Sequence, residues 1–281
     1  MSVSIYSASE DIEQQRLVKQ NNVYNLYANQ YLDEIFEEIK EPVVLDIGCS
    51  NGINTMKRME GRDYRHIIGI EYDMEMVDQA REAYDGDKAG FLQVDLRSGK
   101  LVQEVQKYLD SQSLDGVDII MISSVLLHLD KPYDVIRDCC KLLKKGGMIL
   151  IQDEDDSLNY HTCTRKSFFD NCFYIWDKSK ESGYRQFGFW ARMYLREAGF
   201  DDIELKSSVI KSEDLDRERR EDLWDLYFNS DYWVVGPEDF DEDDAWDKVL
   251  SHREVHHAYK EAYMNEDFDV TIGVVFLVGR K

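Results

Sequence analysis

The stretch VVLDIGCSNG, Val43 to Gly52, decides the fold. A short apolar run, VVLDIG (43–48), ends on a glycine and passes into the turn-rich CSNG. That reads as a strand whose end, at Asp46 and Gly48, is followed by a tight loop, with Gly52 at the start of a helix. Working outward, the pattern alternates. HIIGIEY (66–72) reads as a strand, and the helix after it aligns Met76, Val77, Ala80, Ala83 and Tyr84 on one face. GFLQVD (90–95) and GVDIIMIS (116–123) are further strands. A helix aligning Tyr133, Ile136, Cys140 and Leu143 then stops at KKGG (144–147), and MILIQDED (148–155) is a fifth strand. Strands alternating with amphipathic helices mean βαβ units and a parallel sheet covered on both faces.

Upstream, residues 10–40 predict helix, with Tyr24, Tyr27, Tyr31, Leu32, Ile35, Phe36 and Ile39 recurring at spacings of three and four before Pro42. Downstream, residues 164–199 predict helix, with Gly199 suited to a C-terminal cap. IELKSSVI (203–210) and DVTIGVVFLVG (269–279) predict a sixth and a seventh strand. Residues 211–268 between them are polar with scattered aromatics, and so long a structureless loop is improbable in a compact domain. They are expected to form a helical insertion. No internal repeat or low-complexity linker divides the chain. The expectation is one α/β domain over 1–281 with a Rossmann-like, seven-stranded, mostly parallel sheet and helices on both faces. Its parts are an N-terminal helical cap (1–41), a core (42–155) and a carboxyl-terminal half (156–281) whose insertion, about 211–268, forms a lid.

Lys and Arg total 34 against 57 Asp and Glu, a net charge of −23. A phosphate backbone needs cations to replace its counterions, so nucleic acid is not an expected partner. Hydrophobic residues at 43% suffice for a sizeable core. The longest apolar runs, VVFLV (274–278) and IIMI (119–122), are too short to span a bilayer, so no membrane partner is expected. MSVSIYSASE carries neither a basic n-region nor an apolar h-region, so no secretory signal is expected. The five cysteines (49, 139, 140, 163, 172) lack zinc-like paired spacing and read as reduced thiols in a cytoplasmic protein, with no metal site expected.

The chemistry gathers between Val43 and Asp95. Gly52 lets backbone approach a ligand where a helix offers free N–H groups. Glu71 ends the second strand, 23 positions beyond Gly48, where a carboxylate can take both hydroxyls of a ribose. A dinucleotide fingerprint would need Gly at 50 and 53, and the chain has Ser50 and Ile53. What remains is D-x-G-x-x-x-G, an acid closing strand two and Asp95 closing strand three.

In this the sequence resembles the class I S-adenosylmethionine-dependent methyltransferases, from about residue 43 to 155. The resemblance implies S-adenosylmethionine as cofactor. It implies that Asp46, Gly48, Cys49 and Ser50 line the methionine end, with Gly52 at the helix start, and that Glu71 holds the ribose. Tyr72 and Met76 would lie against the adenine, Asp95 would accept from its amino group, and Leu96 would add a backbone contact. Ser123 and Ser124 follow strand four, where cofactor and acceptor sites meet. Ser50 stands where the family more commonly has Gly. KKGG before strand five, REAGF (196–200) before strand six and an antiparallel last strand inserted between strands five and six fit the same pattern.

A sulfonium methyl is already electrophilic, so alignment of the nucleophile can supply much of the acceleration. A base helps only where the acceptor arrives protonated. His128 and the acidic run Asp153, Glu154, Asp155 and Asp156 are the candidates, with His128 and Asp153 taken as catalytic. A solvated loop is the ordinary reading of such a run. The aromatics Tyr24, Tyr27, Phe168, Phe169, Tyr174, Trp176, Trp224 and Trp233 suggest a closable apolar pocket, although each singly is expected to pack the insertion onto the sheet. Together they favour methyl transfer to an O or N atom of a small organic acceptor. The strand-four region lacks the Asn/Asp-Pro-Pro-aromatic motif of base-amino methyltransferases and most resembles the quinone-biosynthesis branch. The alternatives are a non-catalytic cofactor-binding module on this fold and an aminopropyl transferase, whose GGGDG-type loop is missing.

Overall fold

The computed structural model describes residues 10–178, 185–233, 236–241 and 243–281. Helix α1 (Glu10–Glu38) leads into β1 (Val43–Ile47), α2 (Ile53–Met59), β2 (His66–Glu71) and α3 (Met74–Tyr84). Then come β3 (Ala89–Gln93), α4 (Leu101–Ser111), β4 (Val117–Ser123), α5 (Pro132–Leu142) and β5 (Leu143–Glu154). The remainder runs β6 (Tyr160–His161), α6 (Ser167–Lys178), α7 (Phe187–Ala198), β7 (Asp201–Lys211), α8 (Arg217–Tyr227), α9 (Asp243–Met264) and β8 (Val270–Arg280). These elements form two compact units. An α/β unit comprises Ala28–Glu154, Gln186–Ser208 and Val274–Lys281; a helical unit comprises the chain up to Tyr27 with Asp155–Arg185 and Val209–Gly273.

In the α/β unit the strand order is β3-β2-β1-β4-β5-β8, with β7 also paired to β8. All pairings from β3 to β5 are parallel, and Val274–Arg280 of β8 runs antiparallel to Met148–Glu154. Period-two alternation sorts the strands. Leu45, Ile68, Ile120, Ile149, Val275 and Leu277 face a core shared with Val105 of α4, Ile136 of α5 and Leu195 of α7. Phe276, one residue out of phase, packs instead on Tyr31 of α1, with ring centroids 5.5 Å apart. The Asp73 carboxylate caps α3 by accepting from the Glu75 N–H at 2.8 Å, and Pro132 opens α5, where its missing N–H costs nothing. Gly199 caps α7 at φ 100°.

The boundaries depart from expectation in instructive places. KKGG lies inside β5 rather than between helix and strand: α5 stops at Leu142, and an irregularity between the Val117 and Ile119 pairings absorbs the glycines. Asp95 falls two residues beyond β3 and caps a 3-10 turn, Leu96–Ser98. The span 164–199 holds two helices, α6 and α7, and its residues 179–184 lie outside the described residues. The short β6 was not anticipated; in the helical unit it pairs with Val270 and Thr271. Among the described residues no helix is long and apolar enough to cross a membrane.

The helical unit has an aromatic core of its own. Phe168 stacks on Trp224, His252 and Tyr259, and Phe169 meets Phe168, Phe228 and Phe268 edge-on. The aromatics expected to pack an insertion onto the sheet pack on one another. The Tyr24 and Tyr227 hydroxyls share a buried hydrogen bond, and Lys19 of α1 bridges Asp222 and Asp225 of α8 at 3.0 and 2.9 Å.

Candidate functional site

Strand order reverses between β1 and β4: from β1 the chain steps outward to β2 and β3, then crosses back to β4. In an open α/β sheet the carboxyl ends of the strands at such a reversal are the usual place for a ligand. The β1–α2 loop sits at this point. The Gly48 and Cys49 N–H groups both donate to the Ile70 carbonyl, at 2.8 and 3.0 Å, which ties the loop to β2. Gly48 has φ 80°, and a Cβ there would lie 2.3 Å from a Val125 methyl. Gly52 has φ 78° and would press a Cβ to 3.0 Å of Phe91. Both must be glycine because backbone passes where a side chain cannot. Ser50, standing where a glycine is commoner, adopts the left-handed conformation at φ 49°. Ser124, after β4, does the same at φ 51°. Two non-glycine residues are thus held in this costly region, after β1 and after β4 at the switch point, and functional sites are where such strain concentrates.

Glu71 organises the loop. One carboxylate oxygen accepts from the Ser50 N–H at 3.1 Å; the other accepts from Tyr72 and Asp73 N–H groups at 2.7 and 3.1 Å. Burial pushes its carboxyl above the ordinary value, and these three N–H groups only partly offset that. A ribose offers two hydroxyl donors to such a carboxylate, so the site fits a nucleoside there. Tyr72 is exposed and Met76 half-buried on the first turn of α3. Asp95 is exposed and engaged by Arg97, whose Nε and Nη2 donate at 2.9 and 3.2 Å; the charge-assisted pair draws its carboxyl downward. Arg97 also lies 5.9 Å from the Tyr72 ring centre. Leu96 leans on the sheet's core.

Beneath the loop lies a buried polar network that the sequence reading missed. Asp46 is buried and accepts from the Thr55 hydroxyl at 2.5 Å. Arg58, one helical turn on from Thr55 and only 1% exposed, donates to Ser123 Oγ at 2.7 Å and to Gln152 Oε1 at 3.0 Å. Burial pushes the Asp46 carboxyl up, against the opposing pull of Arg58 and Thr55. The available signal was the i, i+3 spacing of Thr55 and Arg58, which puts both on the face of α2 that looks at Asp46. Cys49 is buried beside Asp46 and Glu71, and burial followed by those two charges pushes its thiol far up, so it is inert filler.

The two catalytic candidates occupy different surroundings. His128 is exposed on a 3-10 turn, Leu126–His128, after β4. Asp153 is buried at the end of β5 and accepts from the Leu127 and Glu154 N–H groups at 3.2 and 3.1 Å. Burial, and then the neighbouring Glu154, push its carboxyl well up. Glu154 in turn accepts from the Ser124 hydroxyl at 3.2 Å. The acidic run is therefore not a solvated loop: Asp153 and Glu154 are interior residues of this unit. In the helical unit Asp155 is buried against Ser157, and Asp156 pairs with Arg185 at 2.5 Å.

Residues 39–189 match the family model described as a methyltransferase domain, more than half of the chain. The chain belongs to the class I S-adenosylmethionine-dependent methyltransferases. Among curated proteins this methyltransferase is 30% identical over 124 residues to the ubiquinone biosynthesis O-methyltransferase of Pectobacterium carotovorum, covering 42% of this chain and 46% of that one. It is 23% identical over 125 residues to a tRNA U34 carboxymethyltransferase of Desulfotalea psychrophila, covering 44% and 36%. The chain thus spans less than half the length of the curated relatives it matches. Among solved structures, phosphoethanolamine N-methyltransferase 2 of Haemonchus contortus, in complex with S-adenosyl-L-methionine, superposes with a TM-score of 0.52 at 16% identity, over 90% of this chain and 52% of that one. That likeness is one of fold.

Proposed function

We propose that the chain transfers a methyl group from S-adenosylmethionine to an oxygen or nitrogen atom of a small organic acceptor by in-line displacement. The observation that carries this reading is the Glu71 carboxylate bound to the glycine loop at the sheet's switch point, with Gly48 leaving room for backbone alone. When bound, the cofactor supplies an electrophilic sulfonium methyl. Glu71 would hold the ribose hydroxyls, and Asp46, Gly48, Cys49, Ser50 and Gly52 would form the bed of the methionine end. Tyr72, Met76 and Leu96 would flank the adenine, with Ser123 and Ser124 bordering the acceptor. Asp95 would take the adenine amino group at the expense of its pair with Arg97. These residues orient the reactants, and orientation is what an already activated methyl needs. Asp153, with its carboxyl pushed up beside Glu154, and the exposed His128 are the groups suited to remove a proton from a hydroxyl or ammonium acceptor.

A small acceptor is favoured over a nucleic acid by the net charge of −23, which repels a polyphosphate. The quinone-pathway name of the Pectobacterium relative supports a phenolic or catecholic hydroxyl among the acceptors. Five buried, unbridged cysteines fit a reducing, cytoplasmic setting. The test is methyl transfer from isotopically labelled S-adenosylmethionine to panels of phenols, amines and carboxylates, with unfractionated tRNA as a separate arm. Label in a small-molecule fraction is the expected result. Label only in tRNA, or cofactor binding without turnover on any panel, contradicts the proposal.

A further inference from the structure

We propose that the helical unit carries a binding site for one divalent transition-metal ion of the zinc type, made by His256 Nε2, His257 Nε2 and an Asp231 carboxylate oxygen. His256 and His257 are on α9. Asp231 lies in the short 3-10 turn Ser230–Tyr232 that follows α8. The three ligand atoms lie within 4.8 Å of one another, the one such group among the described residues. Asp231 Oδ2 is 3.6 Å from His256 Nε2 and 4.0 Å from His257 Nε2. A tetrahedral ion with bonds of about 2.1 Å sets its ligand atoms about 3.4 Å apart, so the two sides that meet at Asp231 need little tightening. Asp231 and His257 are exposed and free to supply that movement.

The decisive residue is His256, which is 2% exposed. Its Nδ1 lies 3.1 Å from the Arg253 carbonyl and 3.1 Å from Ser230 Oγ. A carbonyl can only accept, so Nδ1 carries the proton and Nε2 of the neutral ring presents a bare lone pair. That buried Nε2 makes no hydrogen bond and faces the carboxylate of Asp231. Two lone pairs facing each other repel, and 3.6 Å is too long for a hydrogen bond even from a doubly protonated ring. A dication between them removes the conflict. A backbone carbonyl holding one nitrogen while the other is aimed outward is the arrangement that orients metal-ligating histidines. Two imidazoles and one carboxylate suit zinc-class ions over calcium or magnesium, which prefer oxygen ligands throughout. With three protein ligands the fourth position is left to water, and the ion clips the Ser230–Tyr232 turn onto α9.

The experiment is titration of the untagged full chain with Zn²⁺ by calorimetry, and with Co²⁺ by visible absorption. One equivalent should bind, with tetrahedral cobalt bands and no thiolate charge-transfer band. His257→Ala and Asp231→Asn change exposed side chains and should each weaken binding at least about tenfold while the far-ultraviolet spectrum stays unchanged. Zn²⁺ should raise the melting temperature of the wild-type chain and not that of either variant. Failure to bind at a large excess of Zn²⁺ would overturn the site. So would affinity unchanged in both variants, or a charge-transfer band assigning the ion to cysteine. None of these readouts depends on methyl transfer.

Discussion

The two units hold their buried charges in opposite ways. In the α/β unit, Asp46, Glu71 and Asp153 are sunk at strand ends with carboxyls pushed up by burial, and only Asp46 has a cation pulling back appreciably. In the helical unit Asp225 is buried too, and burial alone would raise it. Lys260 at 2.7 Å and Lys19 at 2.9 Å more than reverse that, and its carboxyl lies below the ordinary value. Both lysines gain in return: burial lowers them, and their acidic partners raise them further than burial takes away. Acids left short of cations remain available to a ligand's hydroxyls or to a proton. Acids clamped by lysines are spent on holding helices together. By this criterion the proposed cofactor chemistry fits the α/β unit, and the ion pairs of α1, α8 and α9 are architecture.

The sharpest way to break this comparison is to remove one charged partner from each unit. Arg58 is enclosed, and its loss strands Asp46 as well as Ser123 and Gln152. Arg58→Met should cost about 3–5 kcal/mol in urea unfolding, as removing one member of a buried charge network does. Asp225→Asn leaves Lys19 and Lys260 able to turn to water, since their side chains are already 23% and 22% exposed. It should cost only about 1 kcal/mol. Equal losses would show that the units do not differ in this respect.

Much of the α/β unit was legible because its signals are local. Val43–Ile47 and Val117–Ser123 read as strands from short apolar runs, and Gly48, Gly52 and Glu71 follow from the turn and the strand ends they occupy. What escaped is non-local. Within INTMKRM only the i, i+3 spacing from Thr55 sets Arg58 apart from Lys57, which reaches solvent, and only the fold brings Gln152 within 3.0 Å of it. Four acids in a row ordinarily mark a solvated loop, and nothing local signals that Asp153 is buried, since its burial depends on β8 closing the sheet beside β5. The aromatics of the helical unit were found but their partners were not, since Phe168 and Trp224 lie 56 positions apart in the chain (224 − 168).

A smaller effect sharpens the contrast through pH. His252 is buried in the helical core, donating from Nε2 to the Phe228 carbonyl and facing the Cys172 thiol with Nδ1. Burial, despite the Phe228 contact, takes its pKa down to about 4. The unfolded chain, with a histidine near 6.5, then binds the proton that the folded chain refuses. Stability contributed by the neutral ring is full above about pH 6.5 and falls as the pH drops toward 4. Between pH 7.5 and 5.5 the wild-type chain should lose about 1.3 kcal/mol more than His252→Gln does, measured by urea unfolding at each pH. Parallel losses would place a charged, solvated ring at 252.

The most direct test of the central claim is calorimetric titration of the chain and its Glu71→Ala variant with S-adenosylhomocysteine, S-adenosylmethionine and NAD. The wild-type chain should bind both sulfur nucleosides and not NAD. The variant, folded by circular dichroism, should bind them roughly 30–150-fold more weakly, the loss of about 2–3 kcal/mol of charge-assisted hydrogen bonds. Undiminished affinity in a folded Glu71→Ala chain, or binding of NAD with no response to either sulfur nucleoside, would contradict the assignment of the β1–α2 loop and Glu71 as the cofactor site.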